Sequence, residues 1–295
     1  MTLDDLNDPA IAAARARELA VDQDIVAVIA RLSGGGEMAV AEYQRLALPV
    51  AVIGSPLAAP DGQNAIWQMC ADAADEGERA ARFAIGEVHS ARPAVVVATG
   101  GGYRAAASAF VAAVGYRAAQ FKLPGDEEPS PGEAGDKPSA PARAVAEAGS
   151  DFVYFSGPYV SGAAFAAALA RRSPASVLLG SDADTPALAH LLPLQGKGVS
   201  YVVSCQAAPT QHSPSATTDG KLDRGVEVGS HAASAQDAAG WVFEAAREAA
   251  SAAPPDRANV AAAIRSPGYR EGTAGRAIFD SLGRRRGAAA TIRRM

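Results

Sequence analysis

The sequence predicts an α/β protein built on parallel sheets. Short apolar, β-branched runs alternate with helical stretches, and most of the runs end in a glycine- or serine-containing turn that opens the next helix. Two long polar segments interrupt this alternation without ending it. Strands separated by helices of about 10 to 15 residues imply βαβ crossovers, which set strands side by side in parallel.

Asp8 followed by Pro9 is a helix start, an N-cap before a proline at the first helical position, and the helix runs over 10–20. "DIVAVIA" (24–30) reads as a buried strand, "SGGGEMAVAEYQRLAL" as turn and helix, and "PVAVIG" (49–54) as the next strand. "AIWQMC" (65–70) is a further strand candidate, before a helix over 72–88. "AVVVATG" (94–100) and "RAAASAFVAAVG" (104–115) repeat the strand–glycine–helix unit, and 117–123 is a strand candidate. Residues 124–141 hold five prolines and five acids and read as a solvated loop. Strands follow at 151–157, 175–180 and 198–205, with helices "YVSGAAFAAALARR" and "TPALAHLL" between them. A second polar loop spans about 206–229, two helices cover 231–252 and 256–265, and the end reads as a hairpin around a glycine-containing turn.

Composition narrows the function classes. The chain has 295 residues, 48% hydrophobic and 20% charged, in the globular range. A formal net charge of -5 gives no field that favours a polyanion, so nucleic acid is not an expected partner. No window approaches 18 apolar residues, so no membrane span is expected. Cys70 and Cys205 form no C-x-x-C pair and read as buried, inert thiols. The four histidines share no metal-ligand spacing, so neither a metal nor a cofactor is expected. The N-terminus lacks a basic region and an apolar core, so the chain as given carries no signal peptide.

In a parallel α/β fold ligands sit at the carboxyl ends of strands, which directs attention to loops 31–36, 54–60, 99–104, 156–160 and 180–185. Gly100, Gly102 and Ala105 fit the G-x-G-x-x-G/A spacing of a dinucleotide turn, and Gly34 to Ala39 give a second match. Both fail the accompanying test, an acid about 20 residues on that holds the ribose. Lys122 stands where the first would need it, and "VAVIGSP" has none for the second. No G-x-S-x-G elbow occurs; Ser33, Ser55 and Ser181 follow strands but suit helix caps as well as nucleophiles. Asp182 and Asp184 leave two readings open, capping of the helix begun by Thr185 or a carboxylate aimed at an ammonium group.

Taken in order, the loops resemble the branched-chain amino acid (Leu/Ile/Val-type) substrate-binding proteins of ABC transporters. The resemblance rests on "LNDPAIAAARARELAVDQDIVAVIARLSGGG", "LPVAVIGSPLAAP", "AVVVATGGGYRAAASAF", "DFVYFSGPYVSGAAF", "VLLGSDADTPAL" and "EGTAGRAIFDSLGRRRGA", the last similar to a closing G-x-x-F-D-x-x-G-D hairpin. It implies a type I periplasmic-binding-protein-like fold: two doubly wound parallel-sheet lobes joined by crossover strands. The first lobe would take 1–91 with 206–285 and the second 92–205 with 286–295. It implies no catalysis, and binding of an amino acid or similar small polar ligand by hinge closure. The ligand would be delivered to an ABC transporter permease in the periplasm or outside the cell.

By position, Leu32, Ser33 and Gly34 with Ser55 to Ala59, Ala58 included, would receive the α-carboxylate on backbone N–H groups. Tyr103 at the rim and Tyr159 would close on the ligand, and Asp182 would hold the α-ammonium. The sequence departs from the family where Gly34 replaces a frequent Ser or Thr, where "SPLAAP" lacks a Thr, and where Arg104 replaces a Gly. The sequence also begins at the family's second helix, so the first lobe is expected to be N-terminally truncated with an apolar strand edge uncovered. A start codon placed too far downstream, completion by another chain, or a remodelled lobe would each account for it. A cytoplasmic ligand sensor of the same fold, a degenerate non-binding homologue and an enzyme are the competing readings.

Overall fold

The computed structural model describes residues 2–4, 8–32, 36–54, 66–115, 117–124, 138–192, 198–205, 231–251, 254–265, 270–273, 276–286 and 290–295. The chain forms two compact units, Met1–Asp72 with Cys205–Ala289 and Ala73–Ser204 with Ala290–Met295. It therefore passes from one to the other three times.

In the first unit β1 (Val28–Leu32), β2 (Val50–Gly54) and β3 (Ile66–Gln68) form a parallel sheet in that order. Side chains alternate between its faces, as the strand period requires. Val50, Val52, Ala30 and Leu32 meet the alanines of α1 (Pro9–Val21) and the Tyr43 ring of α2 (Gly36–Arg45). Ala51 and Ile53 meet Trp241 of α8 (Ala232–Ala250), while Trp67 packs with α8 and α9 (Arg257–Arg265). The predicted cap is present: the Asp8 carboxylate accepts from the amides of Ala10 and Ile11 at 2.7 and 3.0 Å. Arg257 donates to the carbonyls of Asp22, Ile25 and Leu46, closing the ends of α1 and α2 with one guanidinium. The expected strand at 24–30 begins later, at Val28, where pairing with Val50 starts.

The C-terminal hairpin forms from β9 (Ile278–Phe279) and β10 (Arg285–Arg286). Asp280 accepts from the amides of Leu282 and Arg284, each at 2.9 Å, which sets the turn. Gly283 has φ +76°, and a Cβ there would lie 1.9 Å from the Ile66 carbonyl oxygen. Glycine is needed for both reasons, since its bare backbone lets its carbonyl accept from the Gln68 amide.

Cys70 and Cys205 are buried, as expected, but they are not free thiols. They form a disulfide across 135 residues of sequence, with Cα atoms 5.2 Å apart. Spacing gives no hint of the pair because folding alone brings the two segments together. Each cysteine lies at a passage between units: Cys70 two residues before Asp72, Cys205 the first residue of the return.

The outer edge of β1 has no strand partner among the described residues. A cavity of about 570 Å³ runs along it, floored by residues 27–32 and flanked by Ala12 and Leu19 of α1 and Val242 and Phe243 of α8. That is the uncovered apolar edge that the sequence led us to expect.

The second unit holds a six-stranded sheet: β11 (Thr291–Arg294), β8 (Ser200–Ser204), β7 (Ser176–Leu179), β6 (Phe152–Ser156), β4 (Pro93–Val97) and β5 (Ala119–Lys122), in that spatial order. All neighbours are parallel except β11, which runs antiparallel to β8. The helices are α3 (Ala73–Arg82), α4 (Gly101–Val114), α5 (Ser139–Glu147), α6 (Tyr159–Ala170) and α7 (Pro186–Leu191), with a π-helical turn, Phe83–Glu87, prolonging α3. The sequence reading placed 73–91 in the first lobe; α3 belongs instead with the second unit, because Gly77 lets it pack directly on α4. A Cβ at Gly77 would lie 2.1 Å from the Ala106 carbonyl oxygen. Sequence reasoning missed α5, whose first residues, Pro141 among them, were counted in the polar loop; proline is tolerated in a first helical turn.

Two stability predictions follow from these contacts. Cys70→Ser should cost up to about 5 kcal/mol, the chain-entropy value for so long a loop; urea unfolding with and without a dithiol reductant reads it. Gly77→Ala should cost about 1–3 kcal/mol by overpacking two helices that touch through backbone, measured by the same titration.

Candidate functional site

Loops at the carboxyl ends of β4, β6 and β7 lie in the second unit and carry three of the expected site residues. After β4, Gly100 adopts φ 134°, a backbone conformation suited to glycine, and α4 begins at once. Gly101 and Gly102 are already helical, so only the first of the three glycines makes the turn. Tyr103 lies in the first turn of α4 but not at a rim. It is buried in the core cluster with Phe155 and Leu179, and its carbonyl accepts from the Ser156 hydroxyl at 3.0 Å. Tyr159 opens α6 and is half-buried at the margin of the same cluster.

After β7 the chain makes a short 3-10 turn, Ser181–Ala183. Asp182 lies inside it, buried, and its Oδ2 accepts from the Tyr159 amide at 3.3 Å. A carboxylate thus sits against the N-terminus of α6, where helix polarity favours negative charge. Asp184 serves differently: its buried Oδ1 accepts from Arg293 of β11 at 2.6 Å. The N-cap of α7, Thr185, makes no side-chain cap hydrogen bond of its own. The acid pair that sequence left ambiguous therefore divides into an ion pair and a carboxylate tied to a neighbouring loop.

Behind the turn lies a group that sequence reasoning did not single out. Glu76 of α3 is buried, and its Oε1 accepts from the Tyr154 hydroxyl at 2.6 Å and the Ser181 amide at 3.2 Å. Its Oε2 accepts from the Ser181 hydroxyl. Burial pushes the Glu76 carboxyl above the usual carboxylate range, against the pull of those hydrogen bonds. The Tyr154 hydroxyl is pushed up as well, by burial first and then by the adjoining acid.

In the first unit Leu32 ends β1 with its side chain in the core. A Cβ at Gly36 would lie 2.5 Å from the Leu32 Cβ, so α2 begins with bare backbone against the end of β1. Ser33, Gly34, Ser55 and Ala58 lie outside the described residues. The metal-capable group among the described residues is Cys70, Cys205 and His231, with ligand atoms within 4.8 Å of one another, and the disulfide engages both sulfurs.

Residues 1–293 match the family described as periplasmic binding protein. The chain belongs to the periplasmic binding protein family. Among curated protein sequences none matches. Solved structures match the fold of this periplasmic binding protein over nearly its full length. A leucine binding protein, LivK, from Thermotoga maritima MSB8 is 17% identical, with 99% of this chain and 85% of that one covered and a TM-score of 0.79. LivJ from Streptococcus pneumoniae str. Canada MDR_19A, a branched-chain amino acid transporter substrate binding protein in complex with isoleucine, is 16% identical, with coverage of 100% and 82% and a TM-score of 0.76. A solute binding protein of an ABC transporter from Rhodopseudomonas palustris BisB5, in complex with 3,4-dihydroxy benzoic acid, is 17% identical, with coverage of 100% and 81% and a TM-score of 0.73. At these identities the likeness establishes the fold. No helix among the described residues is long and apolar enough to cross a membrane.

The raised Glu76 carboxyl predicts a pH dependence of stability. An acid whose native pKa exceeds its unfolded value, about 4.5, binds more protons in the native state between those two values. Its stabilisation is full below pH 4.5 and is lost as pH rises through the native pKa. Glu76→Gln should remove that slope, so the stability difference between wild type and variant should change across the window in denaturant titrations from pH 4 upward.

Proposed function

We propose that this periplasmic binding protein takes a small amino acid, without catalysing a reaction on it, as the solute-binding component of an ABC-type transporter. It would act in the periplasm or outside the cell and pass its ligand to a membrane permease. The observation that best supports an amino acid is the buried Asp182 carboxylate, presented at the carboxyl end of β7 against the N-terminus of α6. A carboxylate offers two oxygens with about four lone-pair sites, so this residue type can accept an ammonium group alongside backbone amides. In this reading Tyr159 walls the ligand and Tyr103, inside the core, backs the loop that carries it. LivK is a leucine binding protein and LivJ is in complex with isoleucine, which agrees with this chemistry.

The benzoate-type ligands of the Rhodopseudomonas structures set the competing class. Those acids carry no ammonium: a buried carboxylate can accept from their phenolic hydroxyls but repels their own carboxylate. Isothermal titration with L-leucine, L-isoleucine, L-valine and 4-hydroxybenzoate separates the two. We expect a branched-chain amino acid to bind, with Asp182→Asn weakening it by roughly 10- to 100-fold, the loss of a hydrogen bond to a charged group. Binding of 4-hydroxybenzoate alone, or unchanged leucine affinity in Asp182→Asn, would sink the assignment.

A further inference from the structure

We propose that Glu76 is a positioning residue for the ligand: it holds the turn that carries Asp182 and, once ionised, adds negative charge on the α3 side of that turn. The proposal rests on the amino-acid reading above and adds a residue to it from outside the ligand loops.

The turn after β7 is short, and Ser181 anchors its first residue twice to Glu76, through amide and hydroxyl. Asp182 follows immediately, so the backbone that aims its carboxylate is fixed one residue away. On the other side, the Tyr159 amide holds the Asp182 carboxylate. The turn is thus pinned from two helices, α3 behind and α6 in front. Gly180 adjoins the seat: a Cβ there would lie 2.7 Å from Glu76 Oε1, so a larger residue would push against the carboxylate. Glu76 itself cannot swing away, because the Tyr154 hydroxyl holds it from the middle of β6.

The charge environment is unusual for a structural acid. The groups that face Glu76 are the Tyr154 hydroxyl from β6 and the Ser181 amide and hydroxyl from the turn after β7, all neutral. Arg79, on the same helix, pairs with Glu87, and Arg293 pairs with Asp184. Among the described residues no cation pairs with Glu76. Buried carboxylates are ordinarily paired, so an acid retained without a cation has a purpose other than an ion pair. As pH rises and Glu76 ionises, its charge, one residue from Asp182 through Ser181, adds to the attraction of that turn for a cation through a poorly screened interior.

Two readouts on the full chain test this. Hydrogen exchange followed by mass spectrometry compares the segment 178–185 with the β4 segment 93–97 in wild type, Glu76→Gln and Glu76→Ala. L-leucine titrations are run on the same proteins from pH 5 to pH 9. Glu76→Ala should speed exchange at 181–184 by roughly tenfold or more while β4 keeps its protection. Glu76→Gln should restore most of that protection, bind leucine several-fold more weakly, and flatten the pH dependence of affinity. Unchanged exchange at 181–184 in Glu76→Ala, or equal acceleration at β4, would overturn the positioning role. If Glu76→Ala does not fold, a wild-type affinity and pH profile in Glu76→Gln would overturn it. A wild type that binds no leucine would refute the amino-acid reading, while the exchange comparison would still decide the role of Glu76.

Discussion

β6 is buried along its whole length, from Phe152 to Ser156, and that constraint organises the second unit. A strand covered on both faces can carry polar side chains only where the fold supplies partners, since water does not reach them. Tyr154 and Ser156 are the two polar side chains it carries. Their hydroxyls donate to Glu76 and to the Tyr103 carbonyl. Phe110 of α4 packs against Tyr154, with ring centroids 5.3 Å apart, and Phe165 of α6 against Phe155 at the same distance. One strand therefore fixes α3 and α4 on one face and α6 on the other. The loop leaving its carboxyl end delivers the Tyr159 amide to Asp182.

Most of this frame was legible in the sequence, because parallel strands and their crossover helices announce themselves locally. Apolar runs such as "AVVVATG" and "ASVLLG" carry their own burial, and Asp8 with Pro9 declares a helix start in two residues. The C-terminal hairpin was readable from its Asp280 and Gly283 punctuation. The missing parts depend on residues far apart in sequence. Nothing near Cys70 or Cys205 signals that 135 residues of chain will close on themselves. Glu76 stands in "ADEGERAAR", a stretch of charge that reads as a solvated helix face. Its burial follows from Gly77, whose lack of a side chain draws α3 onto α4 and carries the neighbouring acid inside. The signal that could have found it is a glycine beside an acid in an otherwise strong helix former.

Asp182 and Asp184 show the limit from another side. Two acids two residues apart, after a strand, have the same local chemistry and could each serve as cap or ligand. What separates them is β11, the last strand of the chain, which brings Arg293 to Asp184. That pairing neutralises one buried acid, while the other accepts from the Tyr159 amide. Tyr103 makes the converse point. A tyrosine after a glycine turn reads as a rim residue, yet three helical residues rotate it into the core once Gly101 and Gly102 join the helix.

The first unit solves a harder problem with less sheet. Among the described residues its main sheet has three strands, and β1 has no strand partner on the side facing a cavity of about 570 Å³. Small cores commonly need ties beyond apolar burial. Two are present here, and both span long stretches of sequence. Arg257 joins α9 to three carbonyls at the ends of α1 and α2, over more than 200 residues of chain. The disulfide fastens Cys70, beside β3, to Cys205, where the chain returns, and it does so within the cluster of Ile53, Met69 and Trp241. Its entropic effect grows with the loop it closes, and that loop contains the second unit almost whole. The bond thus ties the end of the unit's first segment, Cys70, to the start of its second, Cys205, within one core cluster.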